Sequence, residues 1–252
     1  MRILIRYIFI FTIVFNFISC KPSTYFKSEN ASLKIDSTTT NHKLAEELIN
    51  PYKVKLAAEM NEVLVISAEE FPKERGKSET KLGNLVADLS LEVANEIYKP
   101  TDNDSIDFCL LNFGGLRTSL PKGEITRGKI FELMPFENEL VVVTITKEKY
   151  DEVIEYIKKS GGQPISGLSI KTNHDLTEVI QYWENDKNKN TIKILTSDYL
   201  ANGGDNMKFF LNPIKTEPVG IKLRDAIIQH CKNQHKKGKQ LTGKIDGRIT
   251  FE

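Results

Sequence analysis

Two short stretches hold the residue types and spacings best suited to chemistry. Residues 110–117 read Leu-Leu-Asn-Phe-Gly-Gly-Leu-Arg, and residues 198–205 read Asp-Tyr-Leu-Ala-Asn-Gly-Gly-Asp. In the first, an apolar strand pattern ends at Asn112, crosses Gly114-Gly115 and delivers Arg117. The second has a similar build but delivers Asp205. Glycine lets backbone approach a ligand closely, a guanidinium grips phosphate with a forked pair of donors, and an ionised carboxylate only accepts hydrogen bonds. A cation at one turn and an anion at the other suit a ligand with phosphate at one end and hydroxyls at the other. The bland alternative is a pair of tight turns, with Arg117 pointing into water and Asp205 capping the segment after it.

No second constellation competes with these. The four histidines, His42, His174, His230 and His235, are scattered, and none falls in an Asp-x-His, Asn-His-Asp or His-x-His arrangement. His230 and His235, beside Lys232, Lys236 and Lys237, are expected at a solvated helix end.

The elements that must position the turns follow from periodicity. Leu44, Leu48, Tyr52, Leu56 and Met60 recur at helical steps over 42–60, and Pro51 is expected to break that helix or start a second piece. Residues 62–68 form a short β-rich run. Leu82, Leu85, Val86, Leu89, Val93 and Ile97 make a helical stripe, and 106–111 reads as a buried strand. Thr126 is placed to cap a short helix over 127–133, followed by a strand over 139–146. Tyr150, Val153, Ile154 and Ile157 line one side of a helix that ends at Gly161-Gly162. Strand-like runs at 164–171, 178–183 and 191–197, a helix over 219–232 and a closing strand over 247–251 complete the chain. Hairpins and helix-separated strands together predict an α+β fold, a mixed β-sheet with packed helices.

Composition limits where and with what such a domain works. Arg2 and Arg6 precede an apolar run over 7–18, and Ser19-Cys20 follows, as in a secretory signal. The arrangement resembles a bacterial lipoprotein signal, which implies lipidation at Cys20 and a lipid-anchored protein of the bacterial cell envelope, facing outside the cytoplasm. Residues 20–40 are rich in Ser, Thr, Lys and Asn and read as a flexible tether. The domain is expected over 41–252, long enough for a substantial core. Without Arg2 and Arg6, 33 basic residues face 34 acidic ones, a balance that argues against a nucleic-acid partner. Cys109 and Cys231 sit in apolar patterns, and no bridge between them is expected.

An ordered set of segments gives these residues a family context. Leu-Gly-Asn-Leu-Val-Ala-Asp at 82–88, Asn-Phe-Gly-Gly-Leu-Arg at 112–117, Gly-Glu-Ile-Thr at 123–126, Met-Pro-Phe-Glu-Asn at 134–138, Tyr-Leu-Ala-Asn-Gly-Gly-Asp at 199–205 and Asp-Gly-Arg-Ile at 246–249 resemble the C-terminal domain of the 5′-nucleotidase family. The resemblance runs from about His42 to the end. It implies that Phe136 and Tyr199 match the two aromatics that stack on the base, although the second place is usually phenylalanine. Asn112, Gly114, Gly115 and Arg117 match the phosphate-side strand end, and Asp205 matches the aspartate that accepts from ribose hydroxyls. Arg75 corresponds to another phosphate-side arginine, at an irregular spacing, and Lys81 stands where asparagine is usual.

In that family a separate N-terminal domain performs two-metal hydrolysis. With the metal-ligand patterns missing and a signal at residue 1, the chain is expected to start here by design and to be inactive alone. The resulting reading is the nucleotide-binding half of a split 5′-nucleotidase, with no cofactor of its own. A separate metallophosphatase chain, contacting the apolar side of the 42–60 helix, would bring the divalent metals. The alternatives are a surface nucleoside- or nucleotide-binding lipoprotein without a catalytic partner, and a relic whose pocket has decayed.

Overall fold

The structure, a computed structural model, describes residues 31–36, 39–40, 42–172 and 190–251. The expected signal, Cys20, His174 and the expected strand at 178–183 lie outside the described residues. The chain forms two units, residues 1–48 and 49–252, and the candidate site belongs to the second.

In chain order the elements are helix α1 (Lys43–Met60), strand β1 (Val63–Ser67), helix α2 (Lys81–Ile97), β2 (Phe108–Leu110), β3 (Gly123–Thr126), α3 (Arg127–Leu133), β4 (Glu139–Thr146) and α4 (Lys147–Lys159). Then come β5 (Ile165–Ser166), β6 (Ile170–Thr172), β7 (Thr191–Ser197), the single turn α5 (Asp198–Ala201), β8 (Lys215–Lys222), α6 (Leu223–Lys236) and β9 (Ile249–Phe251). The main sheet has the order β5-β2-β7-β4-β8, with β1-β3 and β6-β9 as separate two-stranded pairs. Among the described strands of the main sheet, only β2 and β7 run parallel. This is the mixed sheet with packed helices that the sequence predicts.

Strand β4 shows why the sheet is stable. Its β-branched run has no polar face. Leu140 and Val142 join one core with Leu82, Leu89 and Val93 of α2 and Ile227 of α6, while Val141, Val143 and Ile145 join a second core with Val153 and Ile157 of α4. Both faces are therefore covered, as continuous apolar strands require. Cys109 belongs to the first core and, like Cys231, is a buried free thiol. Burial pushes the Cys231 thiol up to about 12, so both cysteines behave as apolar filling.

The structure corrects three sequence expectations. Helix α1 runs uninterrupted through Pro51. None of its residues is buried, so the backbone carbonyl that loses its partner to the proline ring is free to take water instead. Residues 219–222 belong to strand β8 rather than to the last helix, which begins at Leu223. Pro218 and Gly220 disguise this strand, but β8 lies at the edge of the sheet, where a missing ladder donor is tolerated. The run at 164–171 divides into β5 and β6, with Gly167 between them at φ +80°.

Candidate functional site

The sheet brings three distant loops together. Because β2 and β7 are parallel neighbours, with Phe108 opposite Ile194 and Cys109 opposite Leu195, their C-terminal ends emerge side by side. Asn112 lies just beyond the first end and Tyr199 just beyond the second. Strand β4 runs antiparallel to β7 and pairs Leu140 with Ser197, so its entry loop, carrying Phe136 and Asn138, arrives at that same edge. Crevices beyond the carboxyl ends of parallel strands are recurrent ligand sites.

Local chemistry then fixes each loop. Ser197 caps α5 by accepting from the Leu200 N–H at 3.3 Å. Gly203 follows at φ +84°, and beyond Gly204 the chain re-enters the left-handed region at Asp205 (φ +49°) and Asn206 (φ +64°). Gly204 allows the Tyr199 ring to lie against the backbone, since a Cβ there would sit 2.5 Å from Tyr199 Cε1. Across the site, Cβ atoms on Gly115 and Gly114 would come 2.9 Å from Asn112 Oδ1 and 3.2 Å from Asp205 Oδ2. The paired glycines are what let the two turns touch.

At their meeting point Asp205 is bonded on every polar atom. Asn112 Nδ2 donates to Oδ2 at 2.6 Å, the Tyr199 hydroxyl donates to Oδ1 at 2.8 Å, and the Asp205 N–H donates back to the Tyr199 hydroxyl at 3.2 Å. The Tyr156 hydroxyl, on α4, donates to the Asp205 carbonyl at 2.8 Å. Partial burial, then the charge of Asp205, pushes the Tyr156 phenol above its ordinary value, so it stays a donor.

The loop that presents Phe136 is held from behind by Arg224 of α6. This buried guanidinium donates to the carbonyls of Pro135 and Phe136 at 3.3 Å, pairs with Glu137, and lies 4.1 Å from the centre of the Phe131 ring. Arg224, then Lys222, holds the Glu137 carboxyl far below the carboxylate range, at about 2.

Asn112, Gly114, Gly115, Arg117, Phe136, Tyr199 and Asp205 all line one cavity of about 310 Å³, together with Asn138. Phe136 and Tyr199 are 40% and 47% exposed, which removes the reading of both as core aromatics. The Arg117 guanidinium stands 5.8 Å from the centre of the Phe136 ring and donates to the Gly114 carbonyl at 3.3 Å. The cavity therefore gathers two aromatic rings, a cation and a carboxylate in its lining.

Arg75 is placed differently. It lines an adjoining cavity of about 370 Å³ with Lys73, Lys77 and Thr80, and the two cavities share Gly114 and Arg117. Lys73 donates to the Arg117 carbonyl at 3.3 Å, and burial followed by repulsion from Arg117 and Arg75 lowers its pKa. Apart from Glu74, the charged residues around this space are all basic.

Sequence reasoning missed Asn138, Tyr156, Lys73 and Arg224. Asn138 stands inside the quoted 134–138 motif and was within reach, and Lys73 lies two residues before Arg75. Tyr156 and Arg224 act across the fold and carry no local signal. His230 is also not at a solvated helix end: it is 8% exposed, and its Nδ1 lies 3.1 Å from a Glu92 carboxylate oxygen of α2, because α6 packs that face against α2. Among the described residues, no three His, Cys, Asp or Glu side chains converge as metal ligands, and this donor set does not fit a two-metal centre.

Comparison with known proteins gives this geometry its context. A family model described as the 5′-nucleotidase C-terminal domain matches residues 62–212. A trifunctional nucleotide phosphoesterase of Bacillus subtilis is 27% identical over 243 residues, covering 88% of this chain and 16% of that protein. A 5′-nucleotidase of Vibrio parahaemolyticus is 23% identical over 68% of this chain and 30% of its own length. Among solved structures, a 5′-nucleotidase precursor from Thermus thermophilus superposes with a TM-score of 0.64 at 24% identity, over 82% of this chain and 43% of that one. The NAD nucleotidase of Haemophilus influenzae gives a TM-score of 0.59 at 15% identity, over 84% and 42%. The chain thus spans less than half the length of each of these relatives, and the two structures share its fold.

Proposed function

The chain belongs to the 5′-nucleotidase family through its C-terminal domain, and from that premise we propose that it is the nucleotide-binding half of a split 5′-nucleotidase. One observation carries the reading: seven residues drawn from three loops line a single cavity with aromatic, cationic and anionic walls. A base stacks on Phe136 and Tyr199, the ribose lies toward Asp205, and the phosphate lies toward Arg117. The adjoining basic space around Arg75 and Lys73 receives phosphate oxygens that extend past Arg117.

The chain's own residues bind and orient, and Arg117 offsets charge on the phosphate; among the described residues no cluster of metal ligands stands ready to generate hydroxide. In the proposal, a separate metallophosphatase chain brings the divalent metals that activate water. The exposed apolar side chains of α1, among them Ile49, Tyr52 and Leu56, support a contact surface for that partner. A lipid at Cys20 holds the assembly in the bacterial cell envelope, facing outside the cytoplasm. The test measures AMP hydrolysis with divalent metal for the full chain alone and after addition of such a phosphatase. Activity that rises only in the mixture is expected, and strong activity of the chain alone sinks the division of labour.

A further inference from the structure

Resting on the nucleotide-binding reading, we propose that Tyr199 is a positioning residue for Asp205 and that, with Asn112, it sets the carboxylate to select a vicinal diol. The cavity then prefers ribonucleosides to their 2′-deoxy counterparts.

The argument starts from the lone pairs of the carboxylate. Its two oxygens offer about four acceptor sites. Tyr199 takes one on Oδ1 and Asn112 takes one on Oδ2. One site then remains on each oxygen, and two adjacent hydroxyls are the donor pattern that fills both. The Arg117 guanidinium is turned to the Gly114 carbonyl and the Phe136 ring, which leaves the carboxylate to the diol.

The backbone is set as firmly as the side chain. A non-glycine residue persists in the left-handed region only where its surroundings hold it. At Asp205 the holding bonds are the Tyr199 hydroxyl on the N–H and the Tyr156 hydroxyl on the carbonyl. Tyr156 is itself braced edge-on against Phe209, with ring centres 5.5 Å apart. A phenylalanine at 199 would keep a stacking face but leave Oδ1 and the N–H of Asp205 without these partners. The phenol does not displace the ligand, because it occupies a different lone pair; its net effect is alignment.

The test is calorimetric titration of the full chain with adenosine and 2′-deoxyadenosine. Wild type is expected to prefer adenosine about tenfold, the worth of one hydrogen bond to a charged acceptor. Tyr199→Phe is expected to cut that preference to about twofold by weakening adenosine alone, and Tyr156→Phe is expected to shift it the same way by less. Asp205→Asn, which turns one acceptor into a donor, is expected to erase the preference. An undiminished preference in Tyr199→Phe overturns the proposal, as does an equal loss for both nucleosides. Wild type that binds both nucleosides equally ends this inference and leaves the nucleotide-binding reading standing. Wild type that binds neither overturns that reading too.

Discussion

Arg224 and Glu137 form an ion pair at the base of the loop that presents Phe136, with the guanidinium also donating to the carbonyls of Pro135 and Phe136 at 3.3 Å. The shape of the aromatic wall thus depends on a charge located on α6, a separate element.

The pair has a pH signature. Glu137 titrates at about 2 in the folded chain against an ordinary value of 4.5. Its contribution to stability is fully present above the unfolded value and is lost as pH falls through the folded one. Asp246, held at about 2 by Arg248 against an ordinary value of 3.8, adds to the loss over the lower part of that interval. The melting temperature of wild type should therefore drop between about pH 4.5 and pH 2, and Glu137→Gln should flatten part of that slope. Thermal melts at closely spaced pH values decide the matter, and identical slopes would remove Glu137 from the account.

Truncating Phe136 should cost about 1–3 kcal/mol of nucleoside affinity, the usual worth of a base–aromatic stack. The ring is 40% exposed, so the melting temperature should hardly move. Arg117→Ala should behave differently, weakening AMP more than adenosine, because the proposed binding mode gives Arg117 the phosphate and the two rings the base. Paired titrations of both variants with AMP and adenosine check the split; equal losses for Arg117→Ala would take the phosphate away from it.

Gly204 permits a contact that no other residue allows. A Cβ there would meet the Tyr199 ring at 2.5 Å and the Tyr199 carbonyl oxygen at 2.6 Å, and the second of these is backbone that cannot swing aside. Gly204→Ala should destabilise the domain by about 1–3 kcal/mol, as overpacking does, and should weaken nucleoside binding with it. Urea unfolding together with calorimetry measures both, and an alanine tolerated in each would contradict the described turn.

Arg248 joins the end of the chain to α2. Its guanidinium meets Asp88 at 2.6 and 3.1 Å, Asp246 at 2.8 Å through each of two nitrogens, and the Ile165 carbonyl at 2.8 Å. A lysine cannot reproduce this fork. Arg248→Lys should lower stability by about 1–3 kcal/mol while leaving nucleoside affinity unchanged. A shifted urea midpoint with an unaltered binding isotherm is the expected pair of results.

How much was legible in the sequence depends on whether the cause lay nearby in the chain. The stripe of α2, the cap at Thr126, and strands β4 and β7 were readable because periodicity and capping are local. Strand β8 was not, since Pro218 and Gly220 look like breakers and only its edge position excuses them. Glu217 in that strand is buried yet satisfied, accepting from Tyr98 and Thr101. Lys193, the buried charge of β7, reaches Asp102 and the Asp104 carbonyl, partners that no spacing rule names. At the site, the side chains with chemistry stood out as motifs. Their supports, Tyr156 and Arg224, act through space, and Arg248 surfaced only as part of a motif whose purpose the fold explains.

The parallel pairing of β2 with β7 places the cavity walls on loop tips, outside the two sealed cores. Substitutions of exposed lining side chains such as Phe136, unlike changes at the tightly packed Gly204, can therefore retune which molecule is held without disturbing the packing that keeps the chain folded. Such an architecture separates the inheritance of a scaffold from the inheritance of a taste, and lineages are free to revise the second while conserving the first.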